Sequence, residues 1–223
     1  MSPRPKPRAV VFDLDGLMFN TEELYEEVGA EILRRRGRTF DAELIDAMMG
    51  RPAAVALKLM IDWHALDATV EDLAAETDEV FATLLDERLA LMPGLEALLG
   101  SLEAAATPKA IATSSGPGFA HGVLNRFELR TRFEFVLTAE DIRHGKPDPE
   151  IYLLAASRLG VSPGEMAVLE DSENGCRAAV AAGAIAVAVP AGHSRRHSFA
   201  GAALVADTLA DVELWRLLGI AAT

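Results

Sequence analysis

The chain has 223 residues, half of them apolar, and a formal net charge of −13 at pH 7. This size and composition predict a globular protein with a sizeable core and exclude an intrinsically disordered chain. The acidic balance argues against a broad nucleic-acid surface or an attraction to anionic membranes, although a local site can still bind one small anion.

Cysteine content and apolar runs indicate a soluble, cytoplasmic protein. Cys176 is the only cysteine, so no internal disulfide framework is expected. Only four apolar residues separate the basic N-terminus from Asp13. An apolar run of this length is too short for the core of a signal peptide. The longest run of small apolar residues, 178–190, is interrupted by Gly183 and falls short of the ~20 residues that span a membrane. We expect no membrane or nucleic-acid partner, and a monomer or weak dimer.

The first predicted element is a buried strand over residues 9–12, with the sequence AVVF. Asp13, Asp15 and Gly16 follow it directly. Two carboxylates at the mouth of an apolar strand repel each other and resist desolvation. The arrangement therefore calls for a positive group nearby.

Residues 17–90 contain no strand-like run and predict a block of helices. Asn20 and Glu23 fit a capping box at the start of the first helix, and Thr69 and Asp72 fit another. A helical block directly after the first strand predicts an inserted cap domain. Residues 1–16 and 91–223 would then form the core domain.

Five more strand-like runs alternate with helical patterns in the rest of the chain. They cover residues 110–115, 135–138, 166–171, 185–190 and 203–207. Apolar strands that alternate with helices predict an α/β fold, a Rossmann-like parallel sheet with helices on both faces. In one of these helices we expect Asp148 as N-cap, Pro149 as first residue and Gly160 as the stop.

Polar clusters follow three of the predicted strands, where a parallel α/β sheet binds its ligands. The clusters are Asp13-Leu14-Asp15-Gly16, Thr113-Ser114-Ser115-Gly116 and Glu170-Asp171, and Lys146 stands alone in a loop before a helix. Each cluster by itself has an ordinary explanation as a turn, a cap or a calcium loop. An EF-hand would need a glutamate at the twelfth loop position, which is Leu24 here.

Taken together, the clusters predict a phosphate site. Carboxylates without nitrogen or sulfur ligands suit Mg²⁺, and such a cation would offset the repulsion between Asp13 and Asp15. A phosphate that contacts the metal, Lys146 and the donors of Thr113 and Ser114 would balance the charge. Phosphoryl transfer depends mainly on positioning and electrostatic stabilisation, and these residue types supply both.

The four motifs resemble those of the haloacid dehalogenase superfamily of phosphotransferases, in the same order and over essentially the whole chain. "FDLDG" is similar to the first motif, "IATSS" to the second, "GKPDP" to the third and "LEDS" to the fourth. The predicted helical insert is similar to the small helical cap of that superfamily.

The resemblance implies a role for each carboxylate. Asp13 would be the nucleophile that forms an aspartyl-phosphate, and Asp15 the general acid and base. Mg²⁺ would be bound by Asp13, by the backbone carbonyl of Asp15 and by Asp171, with Glu170 contributing directly or through water. True dehalogenases of the superfamily lack the second aspartate of the first motif, so Asp15 favours phosphate chemistry.

The resemblance also implies the phosphate ligands. Thr113 and Lys146 would hold the phosphate, assisted by the Ser114 amide. The substrate side is predicted from sequence position: Arg51, between two cap helices, would contact the far side of the substrate, and Met18, just after the aspartates, would line the leaving-group pocket. A plain surface arginine, and a methionine that only seals the cap against the core, are the alternative interpretations of these two residues.

Within the superfamily, the chain resembles the β-phosphoglucomutase-like group and, in "GLMFNTEELY" and "HGKPDPEIY", its pseudouridine-5′-phosphate phosphatase branch. Mutases of the group carry a histidine on the first cap helix, where this chain has Tyr25, and a cap lysine that residues 71–91 lack. We therefore predict a Mg²⁺-dependent phosphatase of a small metabolite, such as a sugar phosphate or a nucleotide-like compound. A hexose-phosphate mutase and a non-catalytic phosphometabolite-binding protein are the alternatives.

Overall fold

The computed structural model describes residues 6–48, 51 and 53–221. The chain divides into a sheet unit, Met1–Phe19 with Leu91–Thr223, and a helical unit, Asn20–Ala90. The sequence predicts the helical insert from residue 17, three residues before the helical unit of the structure begins. Residues 17–19 stay with the sheet unit because Met18 bonds to the backbone of both Leu14 and Met92.

Six parallel strands form the sheet, and each of the predicted runs contributes one of them. They are β1 (Ala9–Phe12), β2 (Lys109–Ala112), β3 (Val136–Leu137), β4 (Met166–Glu170), β5 (Ile185–Ala188) and β6 (Leu204–Val205). Their spatial order is β3-β2-β1-β4-β5-β6, so β1 lies between β2 and β4. The predicted α/β class with a parallel sheet is confirmed.

Helices occupy most of the remaining chain. The helical unit contains α1 (Thr21–Arg34), α2 (Ala42–Met48), α3 (Ala53–His64) and α4 (Val70–Arg88). The sheet unit contains α5 (Leu95–Ala104), α6 (Pro117–Arg126), α7 (Glu150–Leu159), α8 (Glu173–Ala181) and α9 (Val212–Leu218). None of the helices in the described part of the chain is long and apolar enough to cross a membrane.

Both faces of the sheet are covered. Ala9 and Val11 of β1 pack in one core cluster with residues of α7 and α8. Val10 and Phe12 alternate with them and point to the opposite face, where they are equally buried. A strand that is apolar on both sides is expected in a parallel sheet between two helical layers.

The helical unit has its own apolar core. Val28, Ile32 and Leu33 of α1 pack there with Leu73 and Val80 of α4. The core also takes in residues of the two shorter helices, namely Leu44, Leu57 and Met60. The amphipathic pattern in the sequence of α1 therefore corresponds to a real buried face.

Two predicted helix starts are wrong in detail. Asn20 does not cap α1, because its side chain accepts a hydrogen bond from the Ala90 amide (2.8 Å) and donates one to the Arg88 carbonyl (3.3 Å). Helix α7 begins at Glu150 rather than at Pro149, and Asp148 caps it from one residue further back by accepting from the Glu150 amide. For Asn20 the deciding partners are about 70 residues away, whereas at α7 the predicted cap Asp148 is correct and the helix start is displaced by one residue.

Two other predicted helix signals are confirmed. Thr69 and Asp72 form the capping box at the start of α4, with a hydrogen bond from each backbone amide to the other side chain (3.0 and 3.1 Å). Gly160 ends α7 in the left-handed conformation, at φ 67°.

Candidate active site

The sheet topology brings the three predicted polar clusters together. Asp13 follows β1, Thr113 follows β2, and Glu170 with Asp171 ends β4. These three strands are neighbours in the sheet, and the strand order reverses between β1 and β4, at its centre. A parallel sheet opens a ligand crevice at such a point, beyond the carboxyl ends of its strands.

Lys146 reaches this point from the loop before α7, and its side chain is only 5% exposed. Its ammonium contacts a carboxylate oxygen of Asp13, and it donates to Glu170 Oε1 at 2.6 Å and to the Ala112 carbonyl at 3.1 Å. One buried cation thus joins the ends of β1, β2 and β4. It supplies part of the positive charge that the strand-end carboxylates require.

Asp15 is held by hydroxyl groups that follow β2. Its Oδ2 accepts from Ser115 Oγ at 2.7 Å and from Thr113 Oγ1 at 3.2 Å. The Ser115 amide in turn donates to Thr113 Oγ1 at 3.0 Å. Ser114 is exposed, and neither its amide nor its hydroxyl has a partner among the residues described.

Glu170 is fully buried and accepts four hydrogen bonds. Lys146 and the Tyr152 hydroxyl donate to Oε1, while the Ser172 hydroxyl (2.9 Å) and amide (3.3 Å) donate to Oε2. Gly175 leaves room for this carboxylate, because a Cβ atom there would lie 1.8 Å from Oε1 and 2.1 Å from Oε2. The donors compensate the cost of burying the charge.

The carboxylates fit a hard divalent cation. One oxygen from each of Asp13, Glu170 and Asp171 lies within 4.8 Å of the others, and all three residues are buried. A donor set of carboxylate oxygens suits Mg²⁺ or a similar ion. The hydrogen bonds to Glu170 already occupy both of its oxygens, so Glu170 could bind a cation directly only by losing one of them.

Burial and neighbouring charges act on Asp13 and Lys146 in opposite ways. Burial raises the pKa of Asp13 to about 8; Lys146 opposes this shift, while Glu170 and Asp15 add to it. Burial by itself would lower the pKa of Lys146, but Asp13 and Glu170 outweigh it and hold that pKa well above its usual value. Lys146 therefore remains a cation, and the protonation of Asp13 depends on its surroundings.

The raised pKa of Asp13 predicts how the stability of the metal-free protein depends on pH. Folded Asp13 keeps its proton up to about pH 8, whereas the unfolded chain releases it near 3.8. The folded state then binds more protons between these values, so raising the pH favours unfolding. From pH 6 to 8 the melting temperature of the chelated wild type should fall more than that of Asp13→Asn. Parallel curves for the two proteins would contradict the assignment.

The two proposed substrate contacts lie in different settings. Arg51 is exposed, and its Nε donates to the Ala47 carbonyl at 2.6 Å. Met18 is fully buried, and its backbone bonds to Leu14 and Met92. A contact with substrate stays a prediction for both residues.

The sequence assigns no individual role to four residues of the site, although Ser115 belongs to the second polar cluster and Ser172 to the "LEDS" motif. The four are Ser115, Tyr152, Ser172 and Gly175. The spacing of two between Thr113 and Ser115, directly after a strand, was a usable signal, since it matches the spacing of Asp13 and Asp15. No comparable signal exists for Tyr152, because its partner Glu170 is 18 residues away.

A family model described as haloacid dehalogenase-like hydrolase matches residues 7–183, a range that includes every site residue from Asp13 to Gly175. A phosphorylated carbohydrates phosphatase of Thermotoga maritima is 32% identical over 175 residues, which are 78% of this chain and 81% of that protein. A Drosophila melanogaster protein named probable pseudouridine-5′-phosphatase is 34% identical over 207 residues, 90% and 89% of the two chains.

The fold also matches a solved structure. A crystal structure of a haloacid dehalogenase family hydrolase from Deinococcus radiodurans R1, with bound phosphate and sodium, is similar with a TM-score of 0.83. The identity is 27%, and the match covers 99% of this chain and all of that one.

Proposed function

The chain belongs to the haloacid dehalogenase-like hydrolase family, and from that membership we propose that it hydrolyses phosphomonoesters of small metabolites at the site around Asp13. One observation carries the proposal. Asp13, Asp171 and the buried Lys146 lie together beyond the central strands, which gives a carboxylate nucleophile and a cationic phosphate site at one place.

A divalent cation would complete the charge balance. The side chains of Asp13 and Asp171 and the backbone carbonyl of Asp15 would hold it, and we propose Mg²⁺ because the donors are all oxygen. When bound, such an ion neutralises phosphate charge and makes the phosphorus more electrophilic. It would also favour the ionised form of Asp13, which burial alone disfavours.

Asp13 and Asp15 would divide the chemistry between them. An oxygen of Asp13 attacks the phosphorus, the bond to the ester oxygen breaks, and protonated Asp15 gives its proton to the leaving alcohol. Asp15 then takes a proton from the water that cleaves the aspartyl-phosphate, which regenerates Asp13 and releases inorganic phosphate. Lys146, the Thr113 hydroxyl and the exposed Ser114 amide would bind the phosphate oxygens.

The hydrogen bonds of Thr113 couple phosphate binding to Asp15. A hydroxyl group has one hydrogen, and Thr113 directs it to Asp15 in this structure. A bound phosphate would draw that hydrogen away, so Ser115 alone would keep Asp15 in place. Ser115 is therefore assigned a positioning role.

Replacing Ser115 by alanine should lower kcat roughly tenfold for an alkyl phosphate, because an unanchored Asp15 protonates a poor leaving group less efficiently. The loss should be smaller for 4-nitrophenyl phosphate, whose leaving group needs little protonation. Ser101→Ala is a matched control, since this buried hydroxyl has no partner in the described chain. Equal losses for both substrates would contradict the positioning role.

The helical unit is proposed to act as the cap that selects the substrate. The names of two proteins similar to this chain indicate which substrates the cap could select, namely phosphorylated carbohydrates and a nucleotide-like phosphate. Tyr25, at the position where mutases of the group carry histidine, is exposed and stacks on Phe81 with ring centroids 4.3 Å apart. Together with the absence of lysine from residues 71–91, this favours hydrolysis over return of the phosphate to the sugar.

The proposed location of the protein is the cytoplasm. The single buried Cys176 is consistent with this location, because a reducing compartment keeps cysteines free of disulfide bonds.

The proposal is tested by phosphate release from sugar phosphates, nucleotides and pseudouridine 5′-phosphate, with Mg²⁺ and with a chelator. Release that requires the cation is the expected result, and the ranking of substrates identifies the class. Isomerisation of a hexose phosphate that depends on a bisphosphate primer would favour the mutase instead. Binding of phosphate without either reaction would favour the non-catalytic alternative.

A further inference from the structure

Glu170 is placed to hold Lys146 rather than to bind a cation directly. A carboxylate offers about four acceptor positions, and Glu170 already receives four hydrogen bonds from Lys146, Tyr152 and Ser172. A direct bond to a cation would require the loss of at least one of them. Since the side chain is fully buried, water could not replace the lost partner easily.

Tyr152 is the neutral donor in this arrangement. It is the third residue of α7, it is fully buried, and its hydroxyl donates its one hydrogen to Glu170 Oε1. Burial and the charge of Glu170 raise its pKa well above the usual value, so the hydroxyl stays protonated. The ammonium of Lys146 lies 5.2 Å from the centre of the same ring. One tyrosine therefore contacts both members of the Lys146–Glu170 ion pair.

We propose that Tyr152 is a positioning residue that fixes Lys146 for phosphate binding through the carboxylate of Glu170. The inference rests on the phosphate-binding role proposed for Lys146. Without the hydroxyl, Oε1 would keep Lys146 as its only partner, and the carboxylate could rotate and carry the ammonium with it. Packing would not explain such an effect, because phenylalanine fills the same core position and keeps the ring beside Lys146.

The test compares wild type, Tyr152→Phe and the control Ser101→Ala in the full chain. We expect Tyr152→Phe to weaken inorganic phosphate binding about tenfold by calorimetry in the presence of Mg²⁺ and to lower kcat/KM by a similar factor. The Mg²⁺ dissociation constant should stay within about twofold, because Asp13 and Asp171 are untouched. Crystal structures should show the Lys146 ammonium displaced from Glu170 or from the Ala112 carbonyl.

A double-mutant cycle separates this role from a general packing role. In the Glu170→Gln background, Tyr152→Phe should change phosphate affinity less than about threefold, because the carboxylate on which it acts is gone. An equal loss in both backgrounds would overturn the proposal. The proposal would also be overturned if Tyr152→Phe alone bound phosphate within twofold of wild type and its crystal structure showed the Lys146 ammonium unmoved.

These readouts also distinguish this inference from the proposed function. If the wild type binds phosphate but releases none from any ester, and Tyr152→Phe still binds phosphate about tenfold more weakly, the phosphatase fails and the positioning role stands. If the wild type hydrolyses esters and Tyr152→Phe matches it, the positioning role fails. A wild type that neither hydrolyses esters nor binds phosphate would overturn both.

Discussion

Replacing Asp13 by asparagine is expected to lower kcat for phosphate release by roughly a thousandfold or more. The carboxamide has nearly the same shape, but it has no anionic oxygen to attack phosphorus and cannot form the acyl phosphate. Binding of inorganic phosphate should survive better than turnover, because Lys146, Thr113 and Ser114 remain. The measurement is kcat with 4-nitrophenyl phosphate, alongside calorimetry with inorganic phosphate.

The fold of this variant should remain intact. Glu170 still pairs with the Lys146 ammonium. Without metal, folded Asp13 carries a proton up to about pH 8, so the neutral carboxamide removes no charge below that pH. The melting temperature in chelator should therefore stay the same or rise. Asp207→Asn is the matched control, since its side chain is 92% exposed and it should keep wild-type activity. If Asp13→Asn keeps more than a hundredth of wild-type kcat, with deamidation excluded by mass spectrometry, Asp13 is not the nucleophile.

Replacing Gly175 by alanine is expected to lower kcat/KM roughly a hundredfold and to lower the melting temperature. In an ordinary helix this change is stabilising, by about 1 kcal/mol. Here the new Cβ would lie 1.8 Å from a carboxylate oxygen of Glu170, which is fully buried and held by four donors. The carboxylate or the start of α8 must move, and either movement disturbs Lys146.

A second glycine in a helix provides the control. Gly122 lies within α6, and a Cβ added there would meet nothing within 4 Å. Gly122→Ala should therefore stabilise the protein by about 0.5–1 kcal/mol and leave its activity unchanged. If both variants behave alike, the contact between Gly175 and Glu170 does not constrain the site.

Much of the fold could be predicted because its signals are local. Strands β1, β4 and β5 are short, mostly apolar runs that are buried on both faces of the sheet. Such a run indicates that a layer of helices covers each face. Thr69 and Asp72 are three residues apart, so their capping box is contained in the pattern itself. The clusters at Asp13 and Glu170 follow from the same reasoning, since parallel strands place their carboxyl ends at one edge.

Other features could not be predicted because their partners are distant in sequence. Asn20 looks like a helix cap until Ala90, 70 residues later, competes for its side chain. Tyr152 looks like an ordinary core residue of α7, and only the three-dimensional structure places its hydroxyl against Glu170. Gly175 carries no signal either, since the space it provides is defined by a side chain on another element.

The hydrogen bonds of Asn20 have a consequence for how the chain accommodates its insertion. The side chain and backbone of Asn20 bond to Ala90 and Arg88, so the two ends of the helical unit meet. Directly outside them, Phe19 and Leu91 form an antiparallel bridge. The sheet unit is therefore interrupted only between two paired residues, Phe19 and Leu91. The hydrogen bonds inside the insertion hold its two ends together and so offset part of the entropic cost of closing a long loop. Such an insertion is a module that can be lengthened, shortened or exchanged while the strand ends keep their geometry.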